Sequence, residues 1–180
     1  MVREFTAGAE APEAVLHLVE LLRAFEAATL ITRARGGGLQ GRPTSIAQVE
    51  DNATVWLVTS ASSIKAEELV EDSRAMLTLQ ASLRFVSVNG RAELIPGAAE
   101  LAARWKESYR IWYDGRAEPE IALIRFTAFD AEYWDDSGAR GLRYAFRANS
   151  ADESVEGAAT RAPDPHAKLR LWEPESSESR

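Results

Sequence analysis

The junction between residues 54 and 65 constrains the fold of this chain more than any other segment. An apolar run at 55–58 leads into four hydroxyl residues and a lysine, and a helical pattern begins directly afterwards. A strand that ends where a helix begins leaves backbone N–H groups without intrahelical partners, with the positive end of the helix dipole behind them. Hydroxyl groups and an ammonium group complete a site suited to a phosphate. We call this junction the anion corner, and its candidate ligands are Thr59, Ser60, Ser63 and Lys65.

Composition excludes several classes of function. The 180 residues include 21 basic and 28 acidic side chains, which gives a net charge of −7 and disfavours nucleic acid as a partner. The chain has no cysteine, so disulfides, thiolate metal sites and cysteine nucleophiles are ruled out. The two histidines, His17 and His166, provide too little for a catalytic triad or a histidine zinc site, so no metal site is predicted.

The lengths of the apolar segments predict the cellular location. The amino-terminal residues contain no apolar signal core, and no later run approaches the roughly 20 apolar residues that a membrane span needs. The sequence therefore predicts a cytoplasmic protein without a membrane partner.

Hydrophobic periodicity predicts a mixed fold. Gly36, Gly37 and Gly38 mark the tip of a β-hairpin, and the Asn89–Gly90 pair indicates a bulge within a long strand. Strands interrupted irregularly by helices favour an α+β fold, a small antiparallel β-barrel of about six strands flanked by helices. The predicted strands are 28–33, 42–49, 53–59, 75–80, 84–95 and 122–134, and the predicted helices are 12–27, 63–71 and 98–108.

The chain is predicted to contain one domain and a tail. Residues 1–148 carry the barrel pattern, with a short element expected at 143–147. Residues 149–180 are mostly small, polar or proline, which is typical of a flexible segment, with one short strand expected at 168–172. Trp112 and Trp134 lie near loop ends, where an indole ring can stack against a flat ligand.

Four motifs occur in order along the chain, and together they carry a resemblance. They are Arg42-Pro43-Thr44, Thr59-Ser60-x-x-Ser63-x-Lys65, RFVSVNGRAE at 84–93 and AEYWD at 131–135. The set resembles the general stress protein 26 family, which belongs to the pyridoxamine 5′-phosphate oxidase-like, FMN-binding split barrels. The likeness extends from residue 16 to residue 134.

The resemblance implies a cofactor, its ligands and an assembly. Members of this family typically bind FMN, and they are typically homodimers with two flavin sites at the subunit interface. By resemblance, the phosphate would be held by the anion corner, and the residues along the flavin would be Arg42, Pro43, Thr44 and Ser45.

Departures from the family pattern limit the function that the resemblance implies. Ile64 and Ala47 stand where the oxidases themselves carry an arginine and a second lysine, and their C-terminal substrate-binding residues have no counterpart here. The resemblance therefore implies an FMN-dependent oxidoreductase acting in stress response, with a nicotinamide as electron donor and an unknown substrate, rather than pyridoxamine phosphate oxidase activity itself. The alternatives are a non-enzymatic flavin-binding or sensing stress protein, and a relative that holds FAD, the deazaflavin F420 or haem in the same cleft.

Overall fold

The computed structural model describes residues 3–6, 11–95, 98–106, 109, 121–135 and 166–170. These residues form eight strands and three helices. The helices are α1 (Ala11–Arg23), α2 (Ile64–Glu71) and α3 (Ala98–Ala103). The strands are β1 (Arg3–Thr6), β2 (Ala27–Arg33), β3 (Leu39–Val49), β4 (Val55–Ser60), β5 (Arg74–Ala81), β6 (Arg84–Ile95), β7 (Ile121–Asp135) and β8 (His166–Arg170).

Six of the strands close into a barrel. Hydrogen bonding follows the order β7-β4-β3-β2-β5-β6, and β6 pairs back onto β7 to complete the circle. All of these pairings are antiparallel, which confirms the predicted α+β fold with an antiparallel barrel of six strands. Closure gives every barrel strand a partner on both sides over part of its length, while residues 39–44 of β3 pair only with β2.

Alternation along the strands fills the barrel interior with apolar side chains. Leu30, Leu57 and Leu77 point inward from three strands and are completely buried. The amphipathic helix α1 adds Leu18 and Leu22 to the same core, because their helical spacing places them on one face. This interior fixes which face of each strand looks outward, and the outward face carries part of the candidate site.

A second, smaller apolar cluster lies on the outside of the barrel. Trp56 packs there with Leu101 of α3 and with Tyr109. The Arg104 guanidinium lies 3.9 Å from the centre of the Trp56 ring, and the indole N–H donates to Glu50 at 2.6 Å. Helix α3 is therefore held against the outer face of β4.

The long strand β6 contains the bulge that Asn89 and Gly90 indicate. Its register with β7 shifts between these two residues, so the prediction of a bulge is confirmed. A Cβ atom at Gly90 would clash with the carbonyl oxygen of Thr127 and lie 2.6 Å from Cζ of Phe126. The ladder of β6 and β7 thus passes this point only because residue 90 has no side chain.

Several element boundaries differ from those predicted. Helix α1 ends at Arg23 rather than near residue 27, because β2 begins at Ala27, and α3 ends at Ala103 rather than at 108. Strand β1 was not predicted, and β8 covers 166–170 rather than 168–172. Strand β8 pairs antiparallel with β7, and β1 lies parallel to β8.

Three predictions lie partly or wholly outside the described residues. These are the element at 143–147, Trp112, and the flexible tail at 149–180 apart from β8. The division into a domain at 1–148 and a tail at 149–180 stays a prediction. Within the described part of the chain, no helix is both long enough and apolar enough to cross a membrane.

Substitution of Gly90 by alanine is expected to destabilise the fold. The added Cβ has no room between the Thr127 carbonyl and the Phe126 ring, so the free energy of unfolding should fall by about 1–3 kcal/mol, measured by urea denaturation. Gly38→Ala is the matched control, because a Cβ at Gly38 meets no atom within 4 Å. Equal effects of the two changes would show that the bulge is not tightly packed.

Candidate functional site

Helix α2 begins at the anion corner, and Ser63 is its N-cap. Ser63 has extended backbone angles (φ −76°, ψ 148°), and its hydroxyl accepts from the N–H of Ala66 at 3.3 Å. The hydroxyl of Thr59 lies 3.0 Å from that of Ser63, and Thr59 is fully buried. Thr59 therefore lies behind Ser63 and holds it in place, which fixes the helix start directly after β4.

The hydroxyl of Ser60 lies beside a different serine. Ser60 is buried at the end of β4, and its hydroxyl is 3.0 Å from that of Ser62 in the turn. The turn is closed by a backbone hydrogen bond of 3.0 Å from the Ser63 N–H to the Ser60 carbonyl. The four corner residues are thus brought together by β4, one tight turn and the first turn of α2.

Lys65 connects the corner to strand β3. Its ammonium group donates to the carbonyl of Pro43 at 3.2 Å and to the hydroxyl of Thr44 at 2.9 Å. Burial, and next the nearby positive charge of Arg42, lower the pKa of the Lys65 ammonium below its usual value. An ammonium has three donors, and within the described part of the chain two of them are used, so the third is available to an anion. Two groups of predicted residues, on β3 and at the corner, therefore meet at this lysine.

Arg42 makes a buried ion pair that sequence analysis does not identify. Its two terminal nitrogens donate to Glu68 of α2, Nη1 to Oε2 at 2.6 Å and Nη2 to Oε1 at 3.1 Å. The hydroxyl of Thr32 also donates to Glu68 Oε2, at 2.6 Å. Glu68 is only 4% exposed, and the hydrogen bonds from Arg42 and Thr32 hold its pKa below the ordinary value despite burial.

Glu68 was missed because it resembles its neighbours in sequence. Glu67, Glu68, Glu71 and Asp72 together are typical of a solvated helix face. The signal that points to Glu68 lies on β3, where Arg42 shares one face of the strand with the inward residues Thr44 and Ile46. An arginine on an inward face requires a carboxylate partner, because a buried charge without one is very costly.

A groove on the outer face of the barrel begins at Pro43. Its volume is about 430 Å³, and it crosses β3, β2, β5 and β6 to reach β7. Strand register places Thr29, Thr78 and Ser87 in one row along its floor, next to Pro43. The lining residues are Ala27, Ala28, Thr29, Pro43, Thr78, Leu79, Gln80, Phe85, Val86, Ser87 and Trp134.

Ser45 lies beside the anion corner, because it pairs with Val58, the residue before Thr59, whereas Trp134 lies away from the corner. Ser45 stands two residues beyond Pro43 on the outward face of β3 and pairs with Ala27, a groove residue. Trp134 pairs with Phe85 and lines the groove from β7, four strands from Pro43 in the order β3-β2-β5-β6-β7. The structure therefore places Trp134 at the groove and not at the corner, with Pro43 as the residue common to both places.

Replacement of the N-cap Ser63 by alanine is expected to lower the free energy of unfolding by about 1 kcal/mol. The Ala66 N–H would lose its side-chain acceptor and keep only the Ser63 carbonyl at 2.9 Å, and Thr59 would lose its hydroxyl partner. Ser62→Ala is the control, because the Ser62 side chain contacts Ser60 and does not cap α2. Urea denaturation measures both, and a larger loss for Ser62→Ala would contradict the cap assignment.

Comparison with known proteins gives a family and several solved structures with the same fold. The family described as pyridoxamine 5′-phosphate oxidase like matches residues 13–160. A protein related to general stress protein 26 from Clostridium acetobutylicum aligns with TM-score 0.61 at 18% identity, over 68% of this chain and 89% of its own. General stress protein 26 from Bacillus anthracis aligns with TM-score 0.55 at 17% identity, over 65% of this chain and 93% of its own.

A third structure comes from Nostoc punctiforme and is described as a pyridoxamine 5′-phosphate oxidase-related, FMN binding protein. It aligns with TM-score 0.52 at 17% identity, over 73% of this chain and 85% of its own. At these identities the structures establish the fold alone, and no curated protein matches the sequence. Because the family match spans most of the sequence, the chain belongs to the pyridoxamine 5′-phosphate oxidase like family.

Proposed function

We propose that this protein binds FMN and uses it as a flavin-dependent oxidoreductase. The observation that carries the proposal is the position of Lys65, whose ammonium reaches the Pro43 carbonyl from the first turn of α2. Pro43 also forms one end of the outer groove. A ligand with a phosphate at the corner and a flat ring in the groove would therefore pass over Pro43.

The donors at the corner fit a phosphate group. The first-turn amides of α2, at Ile64 and Lys65, precede the intrahelical hydrogen bonds, and anions favour such positions. Lys65 adds one N–H and a positive charge, and a bound phosphate would favour the ammonium form, against the effect of burial. Thr59, Ser60 and Ser63 complete the proposed phosphate ligands, with Thr59 acting through Ser63.

The groove fits a flat ring with one polar edge. Its volume of about 430 Å³ lies within the usual range for small-molecule sites. Phe85 and Trp134 supply apolar walls, and the row of Thr29, Thr78 and Ser87 supplies hydroxyls. We assign Pro43, Ser45 and Trp134 to the ring and its ribityl chain, with Trp134 in position to stack, and Thr44, which faces inward, to the corner through its hydrogen bond from Lys65.

The redox chemistry would come from the flavin itself when bound, and the chain would bind and orient it. The family membership and the FMN binding protein from Nostoc punctiforme support the cofactor. The likeness to general stress proteins supports a role in stress response. We propose a nicotinamide as electron donor, because a hydride passes directly from a nicotinamide to a flavin and requires no side-chain nucleophile or base.

The outer face of the barrel supports a homodimer. Phe85 lines the groove and is 40% exposed, and Leu39, on the same strand as Pro43, is 73% exposed. Apolar side chains around a ligand groove are typical of an interaction surface. We propose that a second copy of the chain covers this face, so that each flavin lies at the subunit interface.

The protein as isolated is expected to be yellow, and Lys65→Met is expected to weaken FMN binding about 10- to 100-fold, because a charge-assisted hydrogen bond to phosphate is lost. Tryptophan fluorescence or flavin absorbance measures the titration. Lys106→Met is the control, because Lys106 donates to the Ile46 carbonyl and not to a corner residue. A colourless protein whose fluorescence does not respond to added FMN would contradict the proposed cofactor.

The oxidoreductase assignment has its own test. Anaerobic addition of NADH or NADPH is expected to bleach the absorbance of the bound flavin at a measurable rate. Tightly bound FMN that neither nucleotide reduces would refute the proposed electron donor and favour a binding or sensing role.

Phe85→Glu is expected to convert a dimer to a monomer, because a charge on the outer face would be buried without a partner in the interface. Analytical ultracentrifugation measures the mass of each form. Val70→Glu is the control, because Val70 is 77% exposed but lies on α2, away from the groove. A Phe85→Glu protein that stays dimeric, or a wild-type monomer, would rule out this interface.

A further inference from the structure

Glu68 is a buried carboxylate that the proposed phosphate site does not use. It lies one helical turn after Lys65 on α2, and it accepts hydrogen bonds from Arg42 and Thr32. Its side chain is 4% exposed, whereas the Arg42 side chain is 26% exposed. The carboxylate is thus enclosed, and the guanidinium lies between it and the surface.

The ion pair with Glu68 occupies both terminal nitrogens of Arg42. A guanidinium binds a carboxylate or a phosphate through two parallel N–H groups, and Glu68 already takes one from each terminal nitrogen. Nη1 also donates to the Thr32 hydroxyl at 3.2 Å. A phosphate could take this pair of N–H groups only in place of Glu68, and while Glu68 is bound it could reach Arg42 only from the Nε side of the guanidinium.

Glu68 reduces the net positive charge near the anion corner. Arg42 and Lys65 are positive and Glu68 is negative, so the three groups together carry one positive charge. Arg42 is close enough to Lys65 to contribute to the lowered pKa of the lysine, and its charge therefore reaches the corner. Glu68 offsets that charge from the buried side.

Resting on the proposed function, we propose that Glu68 determines how strongly the anion corner selects a phosphate-bearing flavin. Glu68 is an internal competitor of the phosphate, because it holds the Arg42 guanidinium that the phosphate would otherwise attract. Lys65 then provides the main cationic contact, and FMN binds less tightly than the two cations together would allow.

The test compares FMN with riboflavin, which has the same ring and ribityl chain but no phosphate. Glu68→Gln keeps the size of the side chain and removes its charge. The dissociation constant for FMN is expected to fall about tenfold, as one unit of positive charge near the site is no longer offset. The constant for riboflavin should change less than about twofold, since a neutral ligand gains little from added charge.

Two further variants isolate the charge of Arg42. Glu71→Gln is the matched control, because Glu71 is an exposed carboxylate on the same helix that pairs with Arg35. It should leave the ratio of FMN to riboflavin affinity unchanged. Arg42→Met combined with Glu68→Gln should return this ratio to within about twofold of the wild-type ratio, because both charges are then absent.

The possible results separate the proposed phosphate site from the proposed role of Glu68. Equal binding of FMN and riboflavin by the wild type would refute the phosphate corner, and with it the proposed function. A clear wild-type preference for FMN that Glu68→Gln leaves unchanged or reduces would refute the role of Glu68 alone. Should Glu68→Gln fail to fold, the double variant still decides, because a loss of FMN preference of about tenfold or more would identify Arg42 as a phosphate ligand.

Discussion

The candidate site depends on the way that helix α2 is held against strand β3. Lys65 reaches across to the Pro43 carbonyl and the Thr44 hydroxyl, and Glu68 receives Arg42 from the same strand. These contacts join the start of a helix, a strand end and the mouth of a groove that are separate in sequence. Without them the anion corner would be a helix N-terminus and no more, because its hydroxyls alone do not reach β3.

The same contacts balance charge against burial. Arg42 and Glu68 satisfy each other in a place that water reaches poorly, and such pairs are costly when one partner is missing. Within the described residues, the hydrogen bonds of Lys65 go to a carbonyl and a hydroxyl and not to a carboxylate. Its charge is consequently less directly offset than that of Arg42, which is the basis for proposing it as the phosphate contact.

The sequence predicts local features of the fold well and non-local features poorly. The strand-to-helix junction at Ser63 and the bulge at Gly90 are visible because short-range patterns determine them. Strand β1 is not visible, because four residues with one apolar side chain become a strand only by pairing with β8 from the far end of the chain. Glu68 is hidden for the same reason, since its partner Arg42 lies 26 residues away.

The pairing of β1 with β8 ties the two ends of the described chain to each other. Strand β8 lies on the extension of β7 beyond the barrel, and β1 adds to β8 in parallel, outside it. Strand β1 therefore reaches the barrel sheet only through β8. Removal of β8 would detach β1 as well and expose the edge of β7 along residues 130–134, so the first and last described strands act as one unit.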